Sequence, residues 1–92
     1  MIYRNVCGPK VRQVREAKGW SRKKLADELM PASEIFRTEK MTGQLIARIE
    51  TRHRMVLDDE ISLLATVLGT SINELVPSLE EVKAEKKRLQ QV

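Results

Sequence analysis

The residues from Thr42 to Glu50 constrain the fold more than any other stretch of this chain. They begin with a hydroxyl side chain suited to a helix N-cap and continue with apolar residues at helical spacing. On an α-helix, Gln44 and Arg48 lie one above the other on one face, whereas Ile46 and Ile49 point to a side that a core can cover. Glutamine can bind adenine with two hydrogen bonds, and arginine can do the same to guanine. The segment predicts a short helix that could read base edges in a DNA major groove, although a solvated surface helix has a similar pattern.

The composition predicts one small domain of packed helices. The chain has 92 residues, of which 41% are hydrophobic and 3% aromatic, and the hydrophobic residues are chiefly leucine, isoleucine, valine and alanine. A chain of this length holds a single domain with a modest core, and these residue types favour helices over a sheet. We therefore expect an all-α protein.

Other classes of function are disfavoured by what the sequence lacks. The single cysteine, Cys7, excludes an internal disulfide and a cysteine-rich zinc site, and the single histidine, His53, has no partners for metal ligation. There is no glycine-rich phosphate loop, and the carboxylates fall at helix starts or on surfaces. We therefore expect no enzyme activity, no cofactor and no metal. With no apolar run of about 18 residues and no signal-peptide pattern, we expect a cytoplasmic protein without a membrane partner.

The charge is unevenly distributed along the chain. The net charge is +4, but residues 1–57 carry 13 lysines and arginines against 6 acidic residues, whereas residues 58–78 carry 4 acidic residues and no basic one. A basic front and an acidic back fit a protein with one face toward a polyanion. A soluble surface with uneven charges would explain the same distribution equally well.

Caps, glycines and apolar periodicity divide the chain into helices. The first is expected over residues 9–18 and ends at Gly19; the second, capped by Ser21, runs from Arg22 to about Leu29 and is broken by Pro31. Further helices are expected at 42–51, at 58–68, after Ser71, and in the tail at 79–91.

Two of these later segments carry more detailed expectations. Asp58 or Asp59 is expected to cap the fourth helix, and the short fifth helix is expected to bury Ile72 and Leu75. The connector after the second helix is the least readable part, and we expect Phe36 to pack onto the core there.

Two basic clusters flank the 42–50 segment. Arg22, Lys23 and Lys24 crowd the first turn of the helix that Ser21 caps, where they oppose the helix macrodipole. Free N–H groups and cations could together hold a phosphate there, although a solvated helix end is the alternative. The second cluster is the loop directly after the segment, and it comprises Thr51, Arg52, His53 and Arg54. We expect both clusters to contact the nucleic-acid backbone.

Three separated blocks of sequence resemble one known family. Residues 11–26, 46–50 and 64–75 are similar, in the same order, to the opening, the third helix and the close of the Cro/cI-like (XRE) helix-turn-helix family. The resemblance covers about residues 8–77. It implies a five-helix, lambda-repressor-like DNA-binding domain, followed here by a short helical tail.

The resemblance also implies roles for individual residues. The phosphate-contacting helix start of the family falls on Ser21 and Arg22, and its phosphate contacts after the third helix fall on residues 51–54. Its buried ion pair between the first and third helices falls on Arg15 and Glu50, which explains a charged residue beside the inward face of the first helix. The base-reading positions fall on Thr42, Gly43, Gln44 and Arg48.

The sequence departs from the family pattern at two places. The family joins its second and third helices by a tight turn, whereas residues 30–41 are about ten residues longer and resemble a subgroup of small bacterial regulators with an extended turn. Gly43 stands where the family usually has a side chain that can read a base, so it either removes a contact or lets the backbone approach DNA.

Two functions follow from these observations. The first is a sequence-specific transcriptional regulator, a nucleoid-associated repressor that binds double-stranded DNA as a homodimer through residues 1–77. The second is a protein-interaction module, an antitoxin or adaptor that uses the same fold and holds its partner with the polar tail, residues 78–92, or with the long turn, residues 30–41.

Overall fold

Six helices account for the regular structure of the part of the chain that can be described. The structure is a computed structural model that describes the backbone of residues 3–36 and 41–90 and the side chains of residues 3–31 and 41–88. The helices are α1 (Gly8–Ala17), α2 (Arg22–Phe36), α3 (Gly43–Glu50), α4 (Asp58–Leu68), α5 (Ile72–Leu75) and α6 (Leu79–Gln90). No strand occurs among the described residues, so the predicted all-α class, with five helices and a helical tail, is confirmed.

The helices begin where hydroxyl side chains can satisfy free backbone N–H groups. Ser21 Oγ accepts a hydrogen bond from Lys24 N at 3.0 Å, and Thr42 Oγ1 accepts one from Leu45 N at 3.2 Å. The hydroxyls of Ser71 and Ser78 cap α5 and α6 in the same way. These N-caps are the predicted ones.

The start of α4 differs from the prediction. Leu57, not Asp58 or Asp59, occupies the N-cap position, and its backbone N–H donates to Glu60 Oε1 at 3.0 Å. The two aspartates lie in the first turn instead, where their charges favour the positive end of the helix dipole.

Three helices end with one residue in the left-handed conformation. Gly19 after α1 has φ +72° and Gly69 after α4 has φ +70°, and glycine adopts this conformation without steric cost. Arg52 after α3 has φ +66°, although a residue with a Cβ atom is disfavoured there by about 1–2 kcal/mol. The N–H groups of Arg52 and His53 close this turn on the carbonyls of Ile49 and Arg48. Contacts of the Arg52 side chain must offset the backbone cost.

Helices α1 to α5 pack around one core of aliphatic side chains. Its fully buried apolar members are Val11, Leu25, Leu29, Ile46, Ile49, Leu64 and Leu75. Removing one such leucine or isoleucine side chain typically costs about 2–5 kcal/mol, so the inward faces of the helices are strongly specified. Leu75 is buried as predicted, but the prediction for Ile72 is wrong, because that side chain is 43% exposed.

Gly8 allows α1 to approach α3 very closely. A Cβ atom at this position would lie 2.2 Å from the carbonyl oxygen of Ile49 and 3.1 Å from that of Glu50. Only a residue without a side chain fits between the two backbones. The start of α1 is thereby held against the end of α3.

The second helix is longer than the sequence suggested. Pro31 lies inside α2 and does not break it, so the prediction of a helix ending near Leu29 is wrong. Proline removes one backbone N–H from the ladder, but Pro31 is exposed, and water can satisfy the carbonyl that loses its partner. Part of the long connector is therefore helical; residues 37–40 and the expected packing of the Phe36 side chain lie outside what the structure describes.

The tail forms the predicted helix, α6, which follows Pro77 directly. No single helix among the described residues is long and apolar enough to cross a membrane, and the one combination that passes on length and composition, Asp58–Leu68 with Ile72–Arg88, is bent by 101°.

Candidate nucleic-acid interface

The outer face of α3 carries two long polar side chains, one turn apart. Gln44 and Arg48 are exposed, whereas Ile46 and Ile49 on the inner face have no exposed surface. Thr42, at the N-cap, is also exposed. Because the inner face is anchored in the core, Gln44 and Arg48 are presented outward by a rigid element.

The first turn of α2 lies beside the first turn of α3. A Cβ atom on Gly43 would lie 3.8 Å from the backbone nitrogen of Lys23, so this position faces α2. Lys23 and Lys24 are exposed there, and each forms an ion pair with a carboxylate four residues later, to Asp27 at 3.1 Å and to Glu28 at 2.9 Å. The fold thus brings the first basic cluster, with the exposed cap Ser21, next to the outer face of α3.

A buried carboxylate ties three helices together beneath this face. The Glu50 side chain is fully buried and accepts hydrogen bonds from Arg15 Nε at 2.6 Å and Arg15 Nη2 at 3.1 Å. The ion pair expected between these residues is therefore present. The hydrogen bonds that Arg15 donates to the Glu50 carboxylate raise the pKa of Arg15 above its ordinary value.

Arg22 joins the same carboxylate. Its Nε donates to Glu50 Oε1 at 3.0 Å, and 41% of its side chain remains exposed. Arg22, which was expected to contact phosphate, therefore uses part of its hydrogen-bonding capacity on a buried carboxylate. Because Arg15 and Arg22 share the single negative charge of Glu50, the three side chains together keep a net positive charge.

The loop after α3 divides its side chains between two directions. Thr51 and His53 are exposed, and His53 Nδ1 lies 2.9 Å from Thr51 Oγ1. Arg52, expected on the same face, is only 7% exposed, and its guanidinium forms a two-point ion pair with Glu85 of α6, with Nη2 to Oε2 at 2.7 Å. The structure therefore does not bring Arg52 together with the exposed members of its cluster.

Arg54 is also directed inward. Its Nη1 and Nη2 donate to Glu60 Oε1 and Oε2, each at 2.9 Å, and the Glu60 side chain is 1% exposed. Burial raises the pKa of Glu60, but the hydrogen bonds from Arg54 and from the Leu57 N–H lower it by more, so its pKa lies below the ordinary value. A buried carboxylate of α4 draws Arg54 away from the exposed position expected for it. The spacing of Leu57 and Glu60, the reverse half of a capping box, accounts for the hydrogen bond from the Leu57 N–H but does not signal the pairing with Arg54.

Sequence reasoning missed one residue that holds the interface in place. Asn5 Nδ2 donates to the carbonyls of Ile49 at 3.0 Å and Arg54 at 2.8 Å, and Asn5 Oδ1 accepts from Gly8 N at 2.9 Å. One amide therefore joins the start of α1, the end of α3 and the loop that follows. No periodicity marks it, because the two carbonyls to which it donates, those of Ile49 and Arg54, lie more than 40 residues away in sequence.

The described residues contain no cluster of three histidine, cysteine or acidic side chains that could hold a metal ion. Burial raises the pKa of Cys7 to about 11, despite a backbone hydrogen bond and the nearby charge of Arg52, so its thiol stays protonated near neutral pH.

Five packed helices with an outward-facing third helix define a small helix-turn-helix domain. The helix-turn-helix family model matches residues 11–75, well over half of the chain. The protein therefore belongs to the Cro/cI-like (XRE) helix-turn-helix family, a family of DNA-binding regulators. Neither the curated proteins nor the solved structures with which the chain was compared include a match.

Proposed function

We propose that this protein is a sequence-specific transcriptional regulator that places α3 in the DNA major groove. The observation that carries the proposal is the exposure of Gln44 and Arg48 on the face opposite two fully buried isoleucines. Glutamine suits adenine and arginine suits guanine, each with two hydrogen bonds. Thr42 lies at the end of the helix that would enter the groove first, and Gly43, which faces α2, can contribute only a close backbone approach.

The neighbouring exposed groups supply contacts to the DNA backbone. We assign phosphate contacts to the first turn of α2 and to the exposed part of the loop after α3, namely Ser21, Lys23, Lys24, Thr51 and His53, with Arg22 contributing its exposed portion. The carboxylate partners of Lys23 and Lys24 are themselves exposed, so these surface pairs can exchange for phosphate at little cost. Phosphate contacts fix the register of the protein on the duplex, and the base contacts read the sequence.

Selection of bound duplexes from a random pool tests the function as a whole. A repressor that acts as a dimer is expected to select a site with two-fold symmetry, with half-sites about one helical turn apart. Recovery of no consensus site would contradict sequence-specific binding.

The role of Arg48 is tested on the selected duplex. Arg48→Ala is expected to weaken binding to the selected site by about 1–3 kcal/mol and to leave binding to random duplex almost unchanged. Arg12→Ala is the matched control, because Arg12 is an equally charged, exposed side chain on α1 whose one ion-pair partner among the described residues is Glu16. Equal losses on both duplexes would make Arg48 a phosphate contact instead of a base contact.

One observation favours an additional protein-binding role. Ile72, Val76 and Leu79 are 43%, 38% and 66% exposed, and they follow one another from α5 to the start of α6. Exposed apolar side chains are typical of protein contact sites where they form one continuous patch, and the close spacing of these three in the sequence is compatible with such a patch. We infer that these three side chains contact the second copy of a homodimer or another protein partner. Sedimentation of Leu79→Glu beside the unmodified chain tests the inference. An unchanged oligomeric state together with unchanged partner capture would refute it.

A further inference from the structure

Among the described side chains of α6, residues 79–88, charge holds the helix to the body of the protein, helices α1 to α5 with their loops. None of these side chains is buried, and Val82 is half-buried. Two ion pairs among the described residues join α6 to the body, from carboxylates one turn apart: Glu81 Oε2 lies 3.1 Å from Lys10 Nζ, and Glu85 binds the guanidinium of Arg52. Between α6 and the body lies an open cavity of about 590 Å³, with Gln13 on one wall and Ala84 on the other.

Arg52 is the unusual partner in this arrangement. It takes the left-handed position that glycine takes after α1 and α4, and its side chain is folded back against the body. Its guanidinium lies 4.7 Å from the centre of the Tyr3 ring, and its buried Nε has no hydrogen-bond partner among the residues that the structure describes. Arg52 therefore has a strained backbone and one guanidinium nitrogen without a hydrogen bond to a described residue. Both the backbone and the side chain become easier to rearrange once the ion pair with Glu85 is broken.

The position of Arg52 in the chain would bring a phosphate of bound DNA close to its guanidinium. Arg52 follows α3 directly and lies between the exposed residues Thr51 and His53, which we assign to phosphate contact. A guanidinium binds a phosphate with the same two-point geometry that it uses for a carboxylate.

We propose that α6 is a displaceable latch, and that its Glu85 competes with a DNA phosphate for the guanidinium of Arg52. The proposal rests on the proposed DNA-binding function and adds a means of regulating it. With α6 docked, Arg52 is neutralised inside the chain; with α6 released, Arg52 is free to turn toward the duplex. A helix of this length is marginal in isolation, so the released tail is expected to lose most of its helical structure.

Hydrogen exchange with and without duplex DNA tests the latch directly. In the full chain, we expect DNA to slow amide exchange in residues 42–51 and to accelerate it in residues 79–90. Opposite changes in one sample separate release of the tail from general shielding by DNA. Slower or unchanged exchange at 79–90, while 42–51 is protected, would overturn the latch and leave DNA binding intact. No protection at 42–51 on the duplexes that the chain selects would contradict the proposed function itself.

A pair of matched variants tests the competition. Glu85→Gln removes the charge that holds Arg52, and Glu80→Gln removes the same charge from an exposed side chain of α6 that forms no ion pair with any described residue. At low salt, we expect Glu85→Gln to bind duplex DNA about three- to tenfold more tightly than Glu80→Gln, and this ratio to fall as salt screens the Arg52–Glu85 pair. Equal affinities of the two variants at low salt would overturn the proposal, and melting curves establish that both are folded.

Discussion

Replacing Glu50 by glutamine should be among the most damaging single changes in this protein. The Glu50 carboxylate has no exposed surface and forms ion pairs with two guanidiniums, those of Arg15 and Arg22. Glutamine keeps the shape but not the charge, and its amide NH2 would face hydrogen-bond donors. Arg15, whose side chain is only 10% exposed, would then lose its buried partner and keep, among the described carboxylates, only the exposed one of Glu16, 3.9 Å from its Nη2.

The size of the effect follows from that burial. Breaking a buried ion pair by removing one partner costs about 3–5 kcal/mol, because the remaining charge has lost both its partner and its water. Domains of this kind are stable by about 5–15 kcal/mol, so the change would remove a large share of the total. With a shift of about 4–8 °C for each kcal/mol, we expect the Tm of Glu50→Gln to fall by at least about 12 °C.

Thermal and urea unfolding followed by circular dichroism measure this loss. Glu28→Gln is the control, because Glu28 pairs with Lys24 on the surface with 44% of its side chain exposed, and we expect almost no change in Tm. A double replacement, Arg15→Met with Glu50→Leu, should be clearly more stable than Glu50→Gln, since no unpaired buried charge remains. A Glu50→Gln protein as stable as the control would refute the reasoning.

Two further changes test the packing at the end of α3. Gly8→Ala should destabilise the protein by about 1–3 kcal/mol, because its Cβ would lie 2.2 Å from the Ile49 carbonyl oxygen, whereas Gly43→Ala, with its nearest contact at 3.8 Å, should be neutral or stabilising by up to about 1 kcal/mol. Chemical unfolding of both variants measures these changes in the free energy of unfolding. Equal losses of stability in the two variants would contradict the close approach of α1 to α3 at Gly8. The Glu60 carboxylate, whose pKa is held below its ordinary value, should stabilise the fold above about pH 4.3 and lose this contribution as pH falls through its folded-state pKa. Urea unfolding of wild type and Glu60→Gln should therefore differ most near neutral pH and converge in acid, and a gap that widens in acid would show the opposite sign.

Much of the candidate site was predictable because its signals are local. The cap at Thr42, the outward placement of Gln44 and Arg48, and the burial of Ile46 and Ile49 all depend on side chains within one short helix. The Arg15–Glu50 pair is not local, and it was expected only because the sequence resembles a family that has it.

The directions of Arg52 and Arg54 could not be read in the same way. A basic residue in the loop after a helix has the same local sequence whether it faces solvent or a buried carboxylate. Their partners, Glu85 and Glu60, are selected by how α6 and α4 pack, and that packing depends on the whole chain. The same holds for Asn5, whose amide is useful only where two distant carbonyls meet.

The sequence by itself determined where most helices begin, which faces are apolar and which residues lie outward on the third helix, because caps and periodicity act within a few residues. The tertiary structure alone decided that α2 continues through Pro31, that Gly8 separates two backbones, and that a carboxylate of the tail binds Arg52. Those features depend on which surfaces are covered and which charges meet, and only the folded chain brings such distant groups within a few ångströms of one another.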